Sequence, residues 1–303
     1  MLTQNLLNFF GLIIYNAFKS SKATIKSKRR PQDLPFICIR VVTCGDYPEL
    51  VRSNVDRNLK TCLTAGLSNF IIEVVTHRYI DFGKSNTRLR QLVIPDNYQT
   101  KSGVLFKGRS LQYCLENGIN KLDAQDWIIH LDEETVMTKE SVYGICNFIV
   151  DGRHQFGQGT ITYVNNSIVN WWTTLADCGR VAYDMGLRRS LMKTFHIPLY
   201  GWNGSYMVVK FGAEQVVTFD HGVDSSVSED SSFALHAYAM GYTFDSIDGD
   251  MYEQSPFTVW DQLRQRRRWI QGTLLTARMT TIPLKYRLAM IMQSILHFMM
   301  PIR

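Results

Sequence analysis

Trp127-Ile128-Ile129-His130-Leu131 runs directly into Asp132-Glu133-Glu134, and this stretch decides the fold. Four bulky apolar residues around one histidine, closed by three acids, read as a short strand buried on both faces that ends in a polar loop. Working outward, residues 36–43 (FICIRVVT) and 70–76 (FIIEVVT) repeat the β-branched pattern, and residues 91–94 give a short third strand. Residues 50–65 and 108–117 carry helical spacing between these strands. Strand and helix in alternation predict an α/β fold with a Rossmann-like, mainly parallel sheet. Ligands of open α/β sheets collect at the carboxyl ends of the strands, so the acidic triplet stands where chemistry is expected.

The bulk of the chain fits one globular domain. Of 303 residues 45% are hydrophobic and 20% charged, enough to bury a large core. The formal net charge of +6 is local: Lys19, Lys22, Lys26, Lys28, Arg29 and Arg30 lie in one acid-free run, and the remaining basic residues balance the 27 acidic ones. A neutral body lacks the cationic surface that nucleic acid requires, whereas a local basic run suits anionic lipid or a solvated tether. Residues 6–18 are apolar apart from Asn8 and Asn16, with Leu7, Phe10, Ile14 and Phe18 at helical spacing. The stretch is shorter than the roughly 20 residues that span hydrocarbon without strain, so an interfacial helix or thin span is expected on equal terms with a full crossing, and a spanning helix would set its basic flank on the cytosolic side. Residues 288–302 are apolar except for Gln293, Ser294 and His297 and read as the start of a second, cut-off membrane segment. The expected organisation is therefore a membrane-associated helix and basic segment over 1–30, a catalytic domain over 31–275, and the start of an interfacial or transmembrane region over 276–303.

Six cysteines, none in a Cys-x-x-Cys spacing, read as free thiols in a reducing compartment, with the sequons at Asn165 and Asn203 unused. No Gly-x-Gly-x-x-Gly follows the first strand, and the P-loop-like spacing from Gly103 to Ser110 has Arg109 where a lysine is needed, so neither nucleotide motif is present.

Three constellations remain. Asp132 and Glu134, one residue apart at a strand end, can offer two hard carboxylate oxygens to a Mg²⁺ or Mn²⁺ ion that also holds a diphosphate; a solvated turn is the plain alternative. Asp230, in Ser228-Glu229-Asp230 ahead of an apolar helical run over 233–240, is a helix cap, a general base, or both. Gln265-Arg266-Arg267-Arg268-Trp269 lies on a helical segment over 258–273, where guanidinium groups suit diphosphate oxygens and the indole gives a sugar a stacking face. A basic helix lying on a membrane is the plain alternative there.

In this order the three resemble the Asp-x-Asp, Thr-Glu-Asp and Gln-x-x-Arg-Trp elements of membrane-bound family 2 glycosyltransferases of the GT-A fold, over most of residues 35–275. The stretches FICIRVVTCGD from Phe36, GWNGSY from Gly201, YEQSPF from Tyr252 and QRRRWIQG from Gln265 are similar to the egghead group of invertebrate β-1,4-mannosyltransferases. That resemblance implies transfer of mannose from GDP-mannose to the glucose of glucosylceramide, on an endoplasmic reticulum or Golgi membrane with the catalytic domain facing the cytosol. It implies Asp230 as base with Glu229 beside it, and Asp132 and Glu134 as metal ligands. Thr43, Lys107, Arg109, Glu133, Gln265, Arg268 and Trp269 are then expected on the donor, and Trp202, Asn203 and Trp269 on the acceptor. Two positions depart from the family pattern: His77 stands where an acid commonly reads the nucleotide base, and Glu134 replaces the usual second aspartate. A relative that uses a UDP-sugar, and a non-catalytic membrane scaffold, are the other readings of the same residues.

Overall fold

The computed structural model describes residues 2–15, 34–83, 86–163, 168–199 and 202–299. The basic run from Lys19 to Arg30, the sequon at Asn165 and Gly201 lie outside them.

Seven strands form one sheet: β1 (Ile37–Thr43), β2 (Phe70–Thr76), β3 (Leu89–Val93), β4 (Trp127–Asp132), β5 (Phe156–Thr162), β6 (Met207–Lys210) and β7 (Phe244–Tyr252), in the order β3-β2-β1-β4-β6-β5-β7. β1 pairs in parallel with both β2 and β4, and β2 with β3. The sheet is mixed, because β6 runs antiparallel to β4 and β5, while β5 and β7 are parallel. The mainly parallel expectation holds for the half that was legible in sequence. The third strand starts two residues earlier than expected.

Every residue of β1 is buried, as a central strand between two layers requires. Ile37, Ile39 and Val41 join Val51 and Val55 of α2 (Pro48–Thr64) and Val142, Ile145 and Ile149 of α4 (Lys139–Asp151) on one face. Cys38 and Val42 face the opposite core, with Leu111 of α3 (Phe106–Tyr113), Phe211 of α6 (Phe211–Val217) and Phe233 of α7 (Glu229–Ala239). Helices on both faces give a three-layer α/β/α body.

One residue of β1 breaks the apolar pattern. Arg40, 1% exposed, donates Nε to Glu73 Oε1 at 2.8 Å and Nη1 to Glu214 Oε1 at 3.2 Å. Glu214 Oε2 lies 2.5 Å from His130 Nε2, and Arg90 Nη1 lies 3.2 Å from Glu73 Oε2. Burial alone would raise the Glu214 pKa; His130 and Arg40 hold it below the ordinary value. Two arginines and two glutamates thus balance inside the core, where a lone charge would be expensive.

The glycines of β5 answer to a ring. A Cβ on Gly159 would stand 1.9 Å from Cε1 of Tyr206, so only glycine lets that buried ring lie flat on the strand.

The N-terminal helix α1 (Leu2–Ile14) is 13 residues long, and among the described residues no helix is long and apolar enough to cross a membrane. α1 lies on the π-helical turn Asp184–Arg188 that follows α5 (Trp171–Tyr183). Asn8 Oδ1 accepts from the Leu187 N–H at 3.0 Å, and a Cβ on Gly11 would meet the Gly186 carbonyl at 2.2 Å. Leu6, Phe9, Phe10, Ile13 and Ile14 remain exposed. At the other end, α8 (Val259–Arg278) and α9 (Leu284–Met299) pack on each other; α8 starts within one residue of the expected 258–273 segment and runs on past its end, and α9 begins at 284, ahead of the expected 288. All six cysteines are free, four of them buried.

Candidate active site

The acidic triplet is positioned from two sides. On α2, Asn54 Nδ2 donates to the Glu133 carbonyl at 2.9 Å, while Asn58 donates to the Thr135 carbonyl at 3.0 Å and accepts from the Met137 N–H at 2.8 Å. Four residues apart, these amides lie on one face of the helix and replace the hydrogen bonds the loop gives up on leaving the sheet. From the other side, Ser205 Oγ accepts from the Asp132 N–H at 3.1 Å and lies 2.7 Å from Thr135 Oγ1, which donates to Glu253 Oε1 at 2.6 Å.

Lys107, in the first turn of α3, is the centre of the site. Its Nζ pairs with Asp132 Oδ1 and donates to the Gly204 carbonyl at 2.7 Å. Burial would lower its pKa, but Asp132, Glu229 and Asp230 raise it above the ordinary value, so it is a permanent cation. A Cβ on Gly204 would stand 3.1 Å from Lys107 Nζ and 3.5 Å from both Asp230 Oδ2 and Glu229 Oε1. Asp132, one of the expected metal pair, and the expected base thus converge on one lysine and one glycine. Gly204→Ala is expected to reduce turnover about tenfold with little change in melting temperature, since the new methyl intrudes on the reacting groups and not on the core; steady-state rates and thermal melts on the same sample check this.

Asp230 lies in the first turn of α7, where Ser228 makes no side-chain cap bond to the helix. Instead Asp230 Oδ1 accepts from its neighbour's Ser231 N–H at 2.7 Å and from Ser228 Oγ at 3.3 Å, which leaves Oδ2 facing Gly204. Burial, then the adjacent Asp230, pushes Glu229 up to about 7. Burial also raises Asp230. Glu134 is pushed up to about 8, first by burial and then by Asp132 and Glu253.

The remaining candidates divide. Thr43 Oγ1 donates to Glu133 Oε2, so these two hold each other at the ends of β1 and β4. Arg109 lies one strand beyond, 3.1 Å from His77 Nδ1. Trp269 is clasped between guanidinium groups, Arg266 at 4.5 Å and Arg180 at 5.0 Å from the ring centre, and Arg266 is held by Asp177 Oδ1 at 2.8 Å. Gln265 and Arg268 line an open cleft with Pro256, Asp261 and Arg264. Gly272, one turn past Trp269, brings α8 against Ser228: a Cβ there would meet Ser228 Cβ at 2.7 Å. Asn203 accepts Arg188 Nη1 at 2.7 Å and donates its N–H to Gln158 Oε1 at 2.8 Å.

Trp202 corrects the reading of GWNGSY. Its ring is 2% exposed and packs edge-on against Phe156 and Phe244, so it anchors the Asn203-Gly204 backbone from the core and offers no face to an acceptor. A large aromatic beside glycines looks like a stacking platform in sequence; the apolar core behind β5 and β7 takes it instead. The sequence reading gave no role to Glu253, although it stands in the quoted stretch YEQSPF, nor to Gly204, Asn54, Asn58 or Arg180.

The sequence model of the family described as Glycosyl transferase family group 2 matches residues 127–303. The chain belongs to this family. Similarity to the egghead group is borne out: this family 2 chain is 54% identical over 287 residues to beta-1,4-mannosyltransferase egh of Drosophila melanogaster, and 51% to beta-1,4-mannosyltransferase bre-3 of Caenorhabditis elegans. Each alignment covers 95% of this chain and 62% of the relative, so the family 2 chain spans under two thirds of the length of the curated relatives it matches. Among solved structures it is similar in fold to S. aureus TarS 1-349, with a TM-score of 0.50 at 14% identity over 87% of this chain and 72% of that one.

Proposed function

We propose that this chain carries the catalytic domain of an inverting β-1,4-mannosyltransferase that moves mannose from GDP-mannose to the glucose 4-hydroxyl of glucosylceramide. The observation that carries the reading is the convergence of Asp132, Lys107, Gly204 and Asp230, with relatives named β-1,4-mannosyltransferases at 54% and 51% identity. Asp230 Oδ2 takes the proton of the acceptor hydroxyl, the freed oxygen bonds to the anomeric carbon, and the bond from that carbon to the diphosphate breaks, releasing GDP. One base with no covalent nucleophile gives inversion. Lys107, cationic throughout, steadies the departing charge.

A divalent cation fits the same place. Burial and then Asp132 raise the pKa of both Glu134 and Glu253, and Glu253 adds to the rise at Glu134, a concentration of negative charge that a cation relieves. Among the described residues no group of three or more His, Cys, Asp or Glu side chains is arranged to hold a metal alone, which suits a Mg²⁺ or Mn²⁺ ion shared between the Asp132 and Glu134 carboxylates and donor phosphates. When bound, such an ion supplies charge neutralisation to the leaving diphosphate. Asp132→Ala is accordingly expected to weaken donor binding in Mg²⁺ or Mn²⁺ at least about tenfold, read by titration calorimetry.

A lipid acceptor accords with the surface beside the site. Trp171 and Trp172 are 74% and 75% exposed and Trp260 62%, with Leu175, Phe257 and Leu263 exposed beside them. Asn170 Nδ2 donates to the Phe257 carbonyl and Thr173 Oγ1 to the Pro256 carbonyl, which holds the two groups together. Tryptophans in such a patch favour a membrane interface, here the cytosolic face of the endoplasmic reticulum or Golgi.

The deciding experiment is a donor screen on detergent-solubilised protein with glucosylceramide and Mg²⁺ or Mn²⁺. Mannose transfer from GDP-mannose is expected; transfer from a UDP-sugar alone would move the enzyme to another branch of the family, and no transfer with any donor would leave a scaffold.

A further inference from the structure

Helix α5 is inverted. Trp171, Trp172 and Leu175 on its outer side are exposed, while Asp177 and Arg180 turn inward, Asp177 fully buried. A helix that shows indoles to solvent and charges to the interior gives up the usual gain of burying its apolar face. What the inward charges touch accounts for the arrangement. Asp177 Oδ1 accepts from Arg266 Nη2 at 2.8 Å and from Gln262 Nε2 at 3.3 Å, which fastens α8 to α5. Arg180, one turn on, lies over two rings at once, 4.9 Å from the centre of Tyr163 and 5.0 Å from that of Trp269.

From Arg180 a line of polar contacts leads to the acidic triplet. Its Nη2 donates to the Tyr163 hydroxyl. A guanidinium only donates, so the hydroxyl proton goes on to Glu253 Oε2, 3.5 Å away. Tyr163 and Glu253 are neighbours at the ends of β5 and β7, where the Glu253 N–H donates to the Thr162 carbonyl at 3.0 Å. Glu253 accepts in turn from Thr135, which meets Ser205, the hydroxyl that receives the Asp132 N–H. Burial would lower the Arg180 pKa, but Tyr163, Asp184, Glu253 and Asp177 raise it, so the link keeps its charge. α8 is fixed at a second point, Gly272 against Ser228, two residues before Asp230. Trp269 therefore sits between a tie to the triplet and a tie to the helix of the base.

We propose that Arg180 is a positioning residue for the acceptor: by holding Tyr163 and Trp269 together it fixes the indole relative to Asp132 and Asp230, and so sets where the acceptor sugar lies when its hydroxyl is deprotonated. Arg180 acts through Trp269 and Glu253. A lysine keeps the charge but lacks the planar fork that can lie over two rings while donating to a hydroxyl, so Arg180→Lys separates geometry from charge. The inference rests on the transfer reading and on Trp269 as an acceptor contact.

The test is steady-state kinetics on the full chain in detergent, with glucosylceramide and the nucleotide sugar that serves as donor varied in turn. Unaltered protein, Arg180→Lys, Tyr163→Phe and the double variant are compared, with affinity for the donor's nucleoside diphosphate and melting temperature read on the same samples. Arg180→Lys is expected to raise the acceptor KM and lower kcat/KM for the acceptor about tenfold, with nucleotide affinity and melting temperature near those of the unaltered protein. Tyr163→Phe, which keeps the ring and removes only the hydroxyl, is expected to shift the acceptor KM in the same direction by less. The double variant is expected to be no worse than Arg180→Lys alone, because both act along one line of contacts. Acceptor kinetics unchanged in both single variants, or losses that multiply in the double variant, overturn the role of Arg180 and leave the transfer standing. A loss shared equally between nucleotide affinity and acceptor efficiency, in Tyr163→Phe as in Arg180→Lys, marks packing alone and also overturns it. An unaltered protein that transfers sugar from no donor overturns both readings.

Discussion

Asp230→Asn is expected to lower turnover about a thousandfold while leaving affinity for the proposed donor nearly intact. The amide keeps the shape of the side chain and its bond to the Ser231 N–H, but cannot take a proton at the position that faces Gly204. Donor affinity is spared because the groups assigned to the diphosphate, Lys107 and Asp132, are unchanged; loss of kcat without loss of binding is the signature of an interaction made only in the transition state. The pH profile carries the same assignment. Burial raises Asp230 and places Glu229 at about 7, so the base is lost to protonation as pH falls through a range above that of an ordinary carboxylate. The acid limb of the rate should therefore lie above the range of an ordinary aspartate, and Asp230→Asn should flatten it. For stability the sign is opposite to the familiar carboxylate case. A folded-state pKa above the unfolded one means that Glu229 contributes stability at low pH, lost as pH rises through about 7. Single-turnover rates with calorimetric donor binding test the assignment; equal loss of donor binding in Asp230→Asn and Asp132→Ala would reverse the two roles.

The largest stability effect is expected in the core. Arg40→Leu leaves Glu73 and Glu214 buried without their shared cation, and removing one partner of a buried ion network typically costs about 3–5 kcal/mol. The penalty belongs to the carboxylates, left with only Arg90 and His130 beside them, so replacing them too should recover part of it: Arg40→Leu combined with Glu73→Leu and Glu214→Met is expected to unfold between the single variant and the unaltered protein, since Arg90 and His130 then lose their partners. Chemical denaturation followed by circular dichroism distinguishes the cases. A single variant costing under about 1 kcal/mol would mean that the core relaxes to hydrate the glutamates.

The sequence made one half of the molecule legible. β1, β2 and β4 stand out because a strand covered on both faces must be β-branched throughout, and α2 because its apolar spacing fits 3.6 residues per turn. β5, β6 and β7 escaped for physical reasons: β5 carries Gly157 and Gly159 to accommodate rings, β6 has four residues, and β7 contains three aspartates. Of the site, Asp132 and Asp230 were found because each follows a recognisable local signal, a strand end and a helix start. Glu253 was not, because it reaches the site through a pairing across more than a hundred residues, Val136 against Tyr252, that no local pattern encodes. Arg40 was hidden inside an apolar run whose charge is balanced only in three dimensions.

The seating of α1 bears on how the protein is prepared. Trimming the first 33 residues to obtain a more tractable protein would keep the sheet and the carboxylates, yet strip Asn8 from the Leu187 N–H and uncover Gly186. The adjoining Arg188 is the residue that grips Asn203, beside the glycine that floors the site. An inactive trimmed protein would then be reporting a loosened wall, and adding lipid back would not restore it.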